Sequence, residues 1–184
     1  MKPAPCAAVG RGKVRRVLSA TERAPLLEAA RAAWDPEADW MAPSGCVEQV
    51  SISCATDLDG KAGDEVVGEI RYIAGTEPCA AARSRRVTST RALLAFVPPT
   101  PDSAGWRLLG LIGYDGFEVP GEESPATTQL AGFVRLPDGR TALRVTRAND
   151  GGDCSGQRLV DLLTATDGKL TEIASRELRA CNAP

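Results

Sequence analysis

The chain has 184 residues, 43% of them hydrophobic and 25% charged, and a formal net charge of -2. That suits one globular domain with its own core, and it argues against nucleic acid or an anionic membrane as the main partner. With no histidine, a Ser–His–Asp triad, a Cys–His pair and a histidine metal cluster are excluded.

Residues 1–18 hold Lys2, Arg11, Lys13, Arg15 and Arg16 and no acid, and residues 19–184 hold 17 basic against 24 acidic residues. The first segment reads as a flexible basic leader, with contact to an acidic surface as its alternative role. Residues 19–184 read as a single β-rich domain. "SATERAPLLEAARAAW" predicts a helix. Ser19 and Glu22 have capping-box spacing, whereas Pro25 would suit a start near Ala24. From either start, Leu26, Leu27, Ala30, Ala33 and Trp34 form one apolar face, and the helix stops before Pro36.

Strand texture follows. "VEQVSISCAT" alternates, with Val50, Ile52 and Cys54 expected on one face, and "EVVGEIRYI" places Val66, Ile70 and Tyr72 together. "TRALLAFV" is apolar on both faces and is expected centrally, beneath the helix, with "WRLLGLIGY" similar. "QLAGFVRL" and "TALRVTR" flank the turn "PDGR", and "QRLVDLLTA" and "KLTEIASREL" flank "TDGK". The fold class is therefore mainly β (α+β by strict count). An N-terminal helix precedes an antiparallel meander of about eight strands, forming a curved sheet or a barrel.

The six cysteines, Cys6, Cys46, Cys54, Cys79, Cys154 and Cys181, contain no C-x-x-C pair. Zinc is disfavoured, and disulfides in an oxidising compartment are expected. Four lysines against eighteen arginines point to a high-GC bacterial source. With no apolar stretch long enough for a signal or a membrane span, export implies that a signal peptide has been removed. A hairpin turning at Asp167 and Gly168 keeps facing residue numbers at a sum of 335. Cys154 and Cys181 share that sum and are expected to bond. Cys46–Cys79 at the base of the first hairpin and Cys6–Cys54 complete the set.

The loop "ATDLDGKAGDEVV" carries the densest acidic run. It resembles the calcium-binding loop of FG-GAP repeats, the integrin-type β-propeller blades. Asp57 and Asp59 match the first two ligand positions, Gly60 the following glycine, and Glu65 the last ligand before Val66 and Val67. Lys61 stands at the third ligand position and Ala62 at the second glycine. The resemblance implies a similar hairpin, with Asp57, Asp59, Asp64 and Glu65 as candidate calcium ligands. The same residues also make a turn, with Gly60 and Gly63 at positive φ and the aspartates capping backbone N–H groups. The turn is the first reading and the calcium site the second; no other cofactor is implied.

Catalytic candidates reduce to carboxylates: Glu48, Asp64, Glu69, Asp115, Glu118 and Asp161. Glu48 shares the parity of Val50, Ile52 and Cys54. Trp40 and Met41 could line a binding mouth or pin a loop to the core.

The sequence does not name a ligand or partner. Its leading reading is a non-enzymatic, disulfide-stapled extracytoplasmic domain, periplasmic, surface-bound or secreted, acting as a binding or structural module with a protein or cell-envelope partner. The alternative is a small-ligand carrier with a closed barrel whose cavity is lined by Leu94, Phe96, Leu109, Leu111 and Phe133. An acid–base hydrolase requires two carboxylates facing each other in a cleft.

Overall fold

The computed structural model describes residue 6 and residues 16–33, 46–61, 63–73, 90–115, 126–149 and 156–179. In chain order these form β1 (Arg16–Val17), α1 (Ala20–Ala33), β2 (Val47–Thr56), β3 (Glu65–Tyr72), β4 (Thr90–Val97), β5 (Arg107–Asp115), β6 (Ala126–Arg135), β7 (Thr141–Asn149), β8 (Gln157–Thr166) and β9 (Lys169–Arg179). The eight expected strands are present, all antiparallel to their neighbours, with the two-residue β1 added at one edge.

The meander does not close into a barrel. It divides into a five-stranded sheet, β1-β2-β3-β4-β5, and a four-stranded sheet, β6-β7-β8-β9. The break falls between β5 and β6, because β5 lies across the second sheet and does not extend its ladder. Arg107 NH1 of β5 donates to the Gly168 carbonyl beside β9 (2.8 Å). Further along β5, Gly110 lies against Leu170 of β9 and Gly113 against Thr128 of β6. Between those two, the Ile112 carbonyl accepts from Arg147 NH2 of β7 (3.4 Å). Contacts thus step from β9 through β7 to β6 along one strand, the pattern of two sheets packed with strands crossing.

Each face of the first sheet meets a different layer. Towards α1, a core forms from Leu26, Leu27, Val50, Ile70, Leu94 and Phe96, with Trp106 packed on it. Phe96 and Trp106 meet edge to face at 6.3 Å. Towards the second sheet, Val67, Leu93, Leu109 and Ile112 meet Leu143, Val145, Leu163 and Ala165. Strand β4 is therefore an interior strand, between β3 and β5, and buried on both faces, as its unbroken apolar run requires. The residues expected to line a barrel cavity are split up. Leu94 and Phe96 pack under the helix. Leu109 and Phe133 pack between the sheets, and Leu111 is exposed.

Helix α1 begins at Ala20, not near Ala24, because its cap is complete. The Ser19 amide donates to Glu22 Oε2 (3.0 Å), and the Glu22 amide donates to Ser19 Oγ (3.4 Å). Pro25 lies inside the helix, where it has no N–H to offer the Thr21 carbonyl four residues back.

Bulges change two expectations. In β2, register shifts lie between Val47 and Gln49 and between Ile52 and Cys54. Val50 and Ile52 face the helix, but Cys54 turns to the opposite face. There it bonds Cys6, and both are 1% exposed. Val66, Ile70 and Tyr72 do share the helix face. In the β8–β9 hairpin, Asp167 and Gly168 take φ of 51° and 76°, the positive pair of a type I′ turn. Pairing starts as expected, Thr166 with Lys169 and Ala165 with Leu170, but two bulges move it to Arg158 with Arg179. The sum of 335 therefore becomes 337 along the ladder. Cys154 and Cys181 lie outside the described residues, as does Cys79; Cys46 is disulfide-bonded.

Within the basic leader, Cys6 is buried. Arg16 and Val17 pair with Ile52 and Ser51, and Leu18 is buried in the helix-side core, its amide donating to the Val50 carbonyl (2.9 Å). The remaining leader residues lie outside the described set, as do Trp34, Trp40 and Met41. No helix among the described residues is long and apolar enough to cross a membrane.

Candidate functional site

The acidic loop between β2 and β3 brings three of its four candidate ligands together. Carboxylate oxygens of Asp57, Asp59 and Glu65 lie within 4.8 Å of one another. Asp64 is not part of that group.

Each of the three carboxylates also serves the backbone. Asp57 Oδ1 accepts from the Gly60 amide (2.6 Å), and Asp59 Oδ1 accepts from the Lys61 amide (2.9 Å). Glu65 Oε2 accepts from the Leu58 amide (2.6 Å). Gly60 and Gly63 take φ of 78° and 114°, a conformation that costs glycine little. The loop therefore has the turn chemistry expected of it. Burial, followed by the negative field of Asp59, pushes the Glu65 carboxyl above its ordinary range despite the Leu58 N–H bond.

Between these acids stands Leu58, which is fully buried in the core between the sheets. Its insertion turns the loop backbone towards the second sheet. The Asp57 carbonyl accepts from the Thr141 amide (2.7 Å), and the Leu58 carbonyl accepts from the Ala165 amide (3.0 Å). The Thr164 hydroxyl adds a third bond, to the Leu58 carbonyl (2.7 Å). The loop is thus a clip joining the first sheet to the starting end of β7 and the finishing end of β8.

Arg140 closes the clip from the β6–β7 turn. Its NH1 donates to the Ala165 carbonyl (3.2 Å), and its Nε and NH2 pair with Asp138 Oδ2 at 2.8 and 2.7 Å. A calcium ion requires six to eight oxygens. Here the Asp57 and Leu58 carbonyls are committed to the second sheet, and each carboxylate has an oxygen committed to an amide. Lys61 Nζ stands 3.9 Å from Asp59 Oδ2. The three gathered carboxylates alone fall short of that shell. Sequence reasoning missed Leu58, Thr164 and Arg140. The available signal was Leu58 itself, the one large apolar side chain in the run from Asp57 to Asp64.

The other carboxylates divide sharply. Glu48 is exposed; the bulge beside it removes the parity that pointed it inward. The side chain of Asp115, and all of Glu118, lie outside the described residues. Glu69 and Asp161 are 2% and 1% exposed. Glu69 pairs with Arg71 (3.1 Å) and Arg91 (3.6 Å). Asp161 pairs with Arg147 (3.1 Å) and accepts from the Ser175 hydroxyl (2.6 Å). Two of these arginines bridge the layers: Arg91 NH2 donates to the Thr128 carbonyl (3.3 Å), and Arg147 NH2 to the Ile112 carbonyl. Buried charges held this way are costly to break and organise the interface between sheets.

No family model matches the chain, and neither does any curated protein or solved structure.

Proposed function

We propose that the chain is a non-enzymatic binding or structural domain that works outside the cytoplasm. The observation that carries this reading is the Cys6–Cys54 disulfide, set in the core between the sheets and tying the N-terminal segment to β2. Cys46 is oxidised as well, and among the described residues no cysteine is free. Core disulfides persist where the environment is oxidising, which favours the periplasm, the cell surface or secretion over a reducing cytosol. The described carboxylates support the non-enzymatic half of the reading, since buried Glu69 and Asp161 pair with arginines that join the layers, and buried Glu65 accepts from the Leu58 amide within the loop. A protein or cell-envelope component is the expected partner.

The test is the redox state of the chain in its native cells. Rapid alkylation before lysis, then fractionation, should recover Cys6 and Cys54 unalkylated and the protein outside the cytoplasm. Alkylation of both cysteines in a cytoplasmic fraction would overturn the proposal.

A further inference from the structure

The acidic loop resembles a calcium loop, yet its three gathered carboxylates alone fall short of the ion's six to eight oxygens. We infer that Arg140 is the loop's resident cation: it lies against Gly60, balances the Asp57 and Asp59 carboxylates, and ties the loop to the second sheet with no metal required.

The geometry is specific. A Cβ added at Gly60 would stand 3.2 Å from Arg140 Cγ and 3.3 Å from Cδ, so the arginine stem runs along the loop backbone. Its head is fixed by the Ala165 carbonyl and by Asp138. The next residue, Thr141, donates its amide to the Asp57 carbonyl. Ala165, whose carbonyl takes the Arg140 head, donates its own amide to Leu58. One side chain therefore touches the β6–β7 turn, the end of β8 and the acidic loop. Asp138 first, with Asp57 and Asp59 adding to it, holds the guanidinium proton more tightly than usual. Lys61, with a 74% exposed side chain, is the looser second cation.

Calcium would gather the same carboxylates by drawing carbonyls and water into its shell. Arg140 instead offers its charge from one side, while its own N–H groups bond Asp138 and the Ala165 carbonyl. That leaves the Asp57 and Leu58 carbonyls free to bond the second sheet, as they do. A tethered cation also cannot be removed by a chelator or lost by dilution.

The test is a charge cycle on the full chain, read by thermal unfolding in excess calcium and in chelator. Asp57→Asn with Asp59→Asn removes both charges but keeps side-chain oxygens to accept from the Gly60 and Lys61 amides. The wild-type midpoint is expected to be the same in calcium and in chelator. Arg140→Met should lower it by about 2–8 °C, and by clearly less in the double-Asn background. If the Met variant does not fold, Arg140→Lys in the same two backgrounds carries the test with the same expected inequality. A wild-type midpoint that rises with calcium would overturn the inference, as would an equal loss in both backgrounds.

Discussion

Gly113 of β5 lies directly against Thr128 of β6: a Cβ added at the glycine would stand 2.4 Å from both Cγ2 and Oγ1 of the threonine. The same strand repeats the approach at Gly110, where the added Cβ would be 2.8 Å from Leu170 Cβ. These two glycines let a strand backbone seat on the second sheet, and together they set the spacing between the layers. Gly113→Ala is expected to destabilise the fold by about 1–3 kcal/mol, the range for overpacking a tight contact. Thr128→Ala in the same chain should recover part of the loss by removing Cγ2 and Oγ1, while the threonine Cβ position, 2.6 Å from the added atom, stays occupied. Urea unfolding of the two variants and their combination checks this. A neutral Gly113→Ala, or additive losses in the double variant, would show that β5 stands further from β6.

The capping box at the start of α1 gives a second expectation. Glu22 accepts from Arg16 NH1 (2.6 Å) as well as from Ser19, and these bonds lower its carboxyl from 4.5 to about 2, the Arg16 bond contributing most. A depressed carboxylate contributes stability that is fully present above 4.5 and is lost as pH falls towards 2. Glu22→Gln should therefore flatten the stability–pH curve on that acid limb. Ser19→Ala removes the other half of the box and should cost about 0.5–2 kcal/mol. Thermal unfolding followed by circular dichroism across the acid range measures both effects.

Much of this architecture was legible because it is local. Strands β2 and β4 occupy the segments that their residue patterns mark, and the Ser19–Glu22 spacing finds the helix start. What stayed hidden depends on partners distant in sequence. The split into two sheets rests on β5 declining to pair with β6, and β5 reads like any buried strand until its glycines are seen against Thr128 and Leu170. The bulge that turns Cys54 away from Ile52 leaves no mark in an alternating pattern. At the acidic loop, the turn residues identify themselves, whereas Arg140 sits in a different hairpin and reads there as an ordinary turn-flanking cation. Glu69 and Asp161 look like solvated strand residues in sequence, because the arginines that allow their burial lie on other strands or, for Arg71, two positions along the same face.

Glu65 provides a pH test of opposite sign to Glu22. Its carboxyl is raised above 4.5, chiefly by burial. The folded state therefore holds the proton more tightly than the unfolded chain, and the stability this contributes falls away as pH rises through the elevated folded value. Glutamine mimics the neutral acid and keeps an oxygen to accept from Leu58. Glu65→Gln should gain on the wild type as pH increases from 4.5 towards neutrality, with the difference levelling off once wild-type Glu65 is ionised. Paired denaturant titrations over that interval give the measurement. A Gln variant that loses ground as pH rises would mean that the ionised form is the one stabilised.

The disulfides offer the most decisive chemistry. Cys6 and Cys54 are each 1% exposed, among Leu58 and Val67, and they are 48 residues apart in sequence. In the chain-entropy account, closing a loop of that size is worth roughly 4 kcal/mol. Thiol–disulfide exchange needs a thiolate to reach the sulfur, which the packed sheets prevent. The bond should therefore resist mild reductant in the native protein and yield once denaturant is added. Non-reducing peptide mapping should recover a Cys6–Cys54 pair and a linked peptide containing Cys46, with Cys79 its expected partner and Cys154–Cys181 the remaining pair. The two bulges of β9 make that last pair the sharpest part of the map, since the ladder no longer holds the sum of 335 by Arg158. Replacing Cys6 and Cys54 together by alanine should cost about 2–5 kcal/mol and release the N-terminal segment to proteolysis while β1 pairing weakens. Finding Cys6 and Cys54 reduced in the native protein, or bonded to other cysteines, would remove the anchor of the N-terminal segment and with it the main support for a site of action outside the cytoplasm.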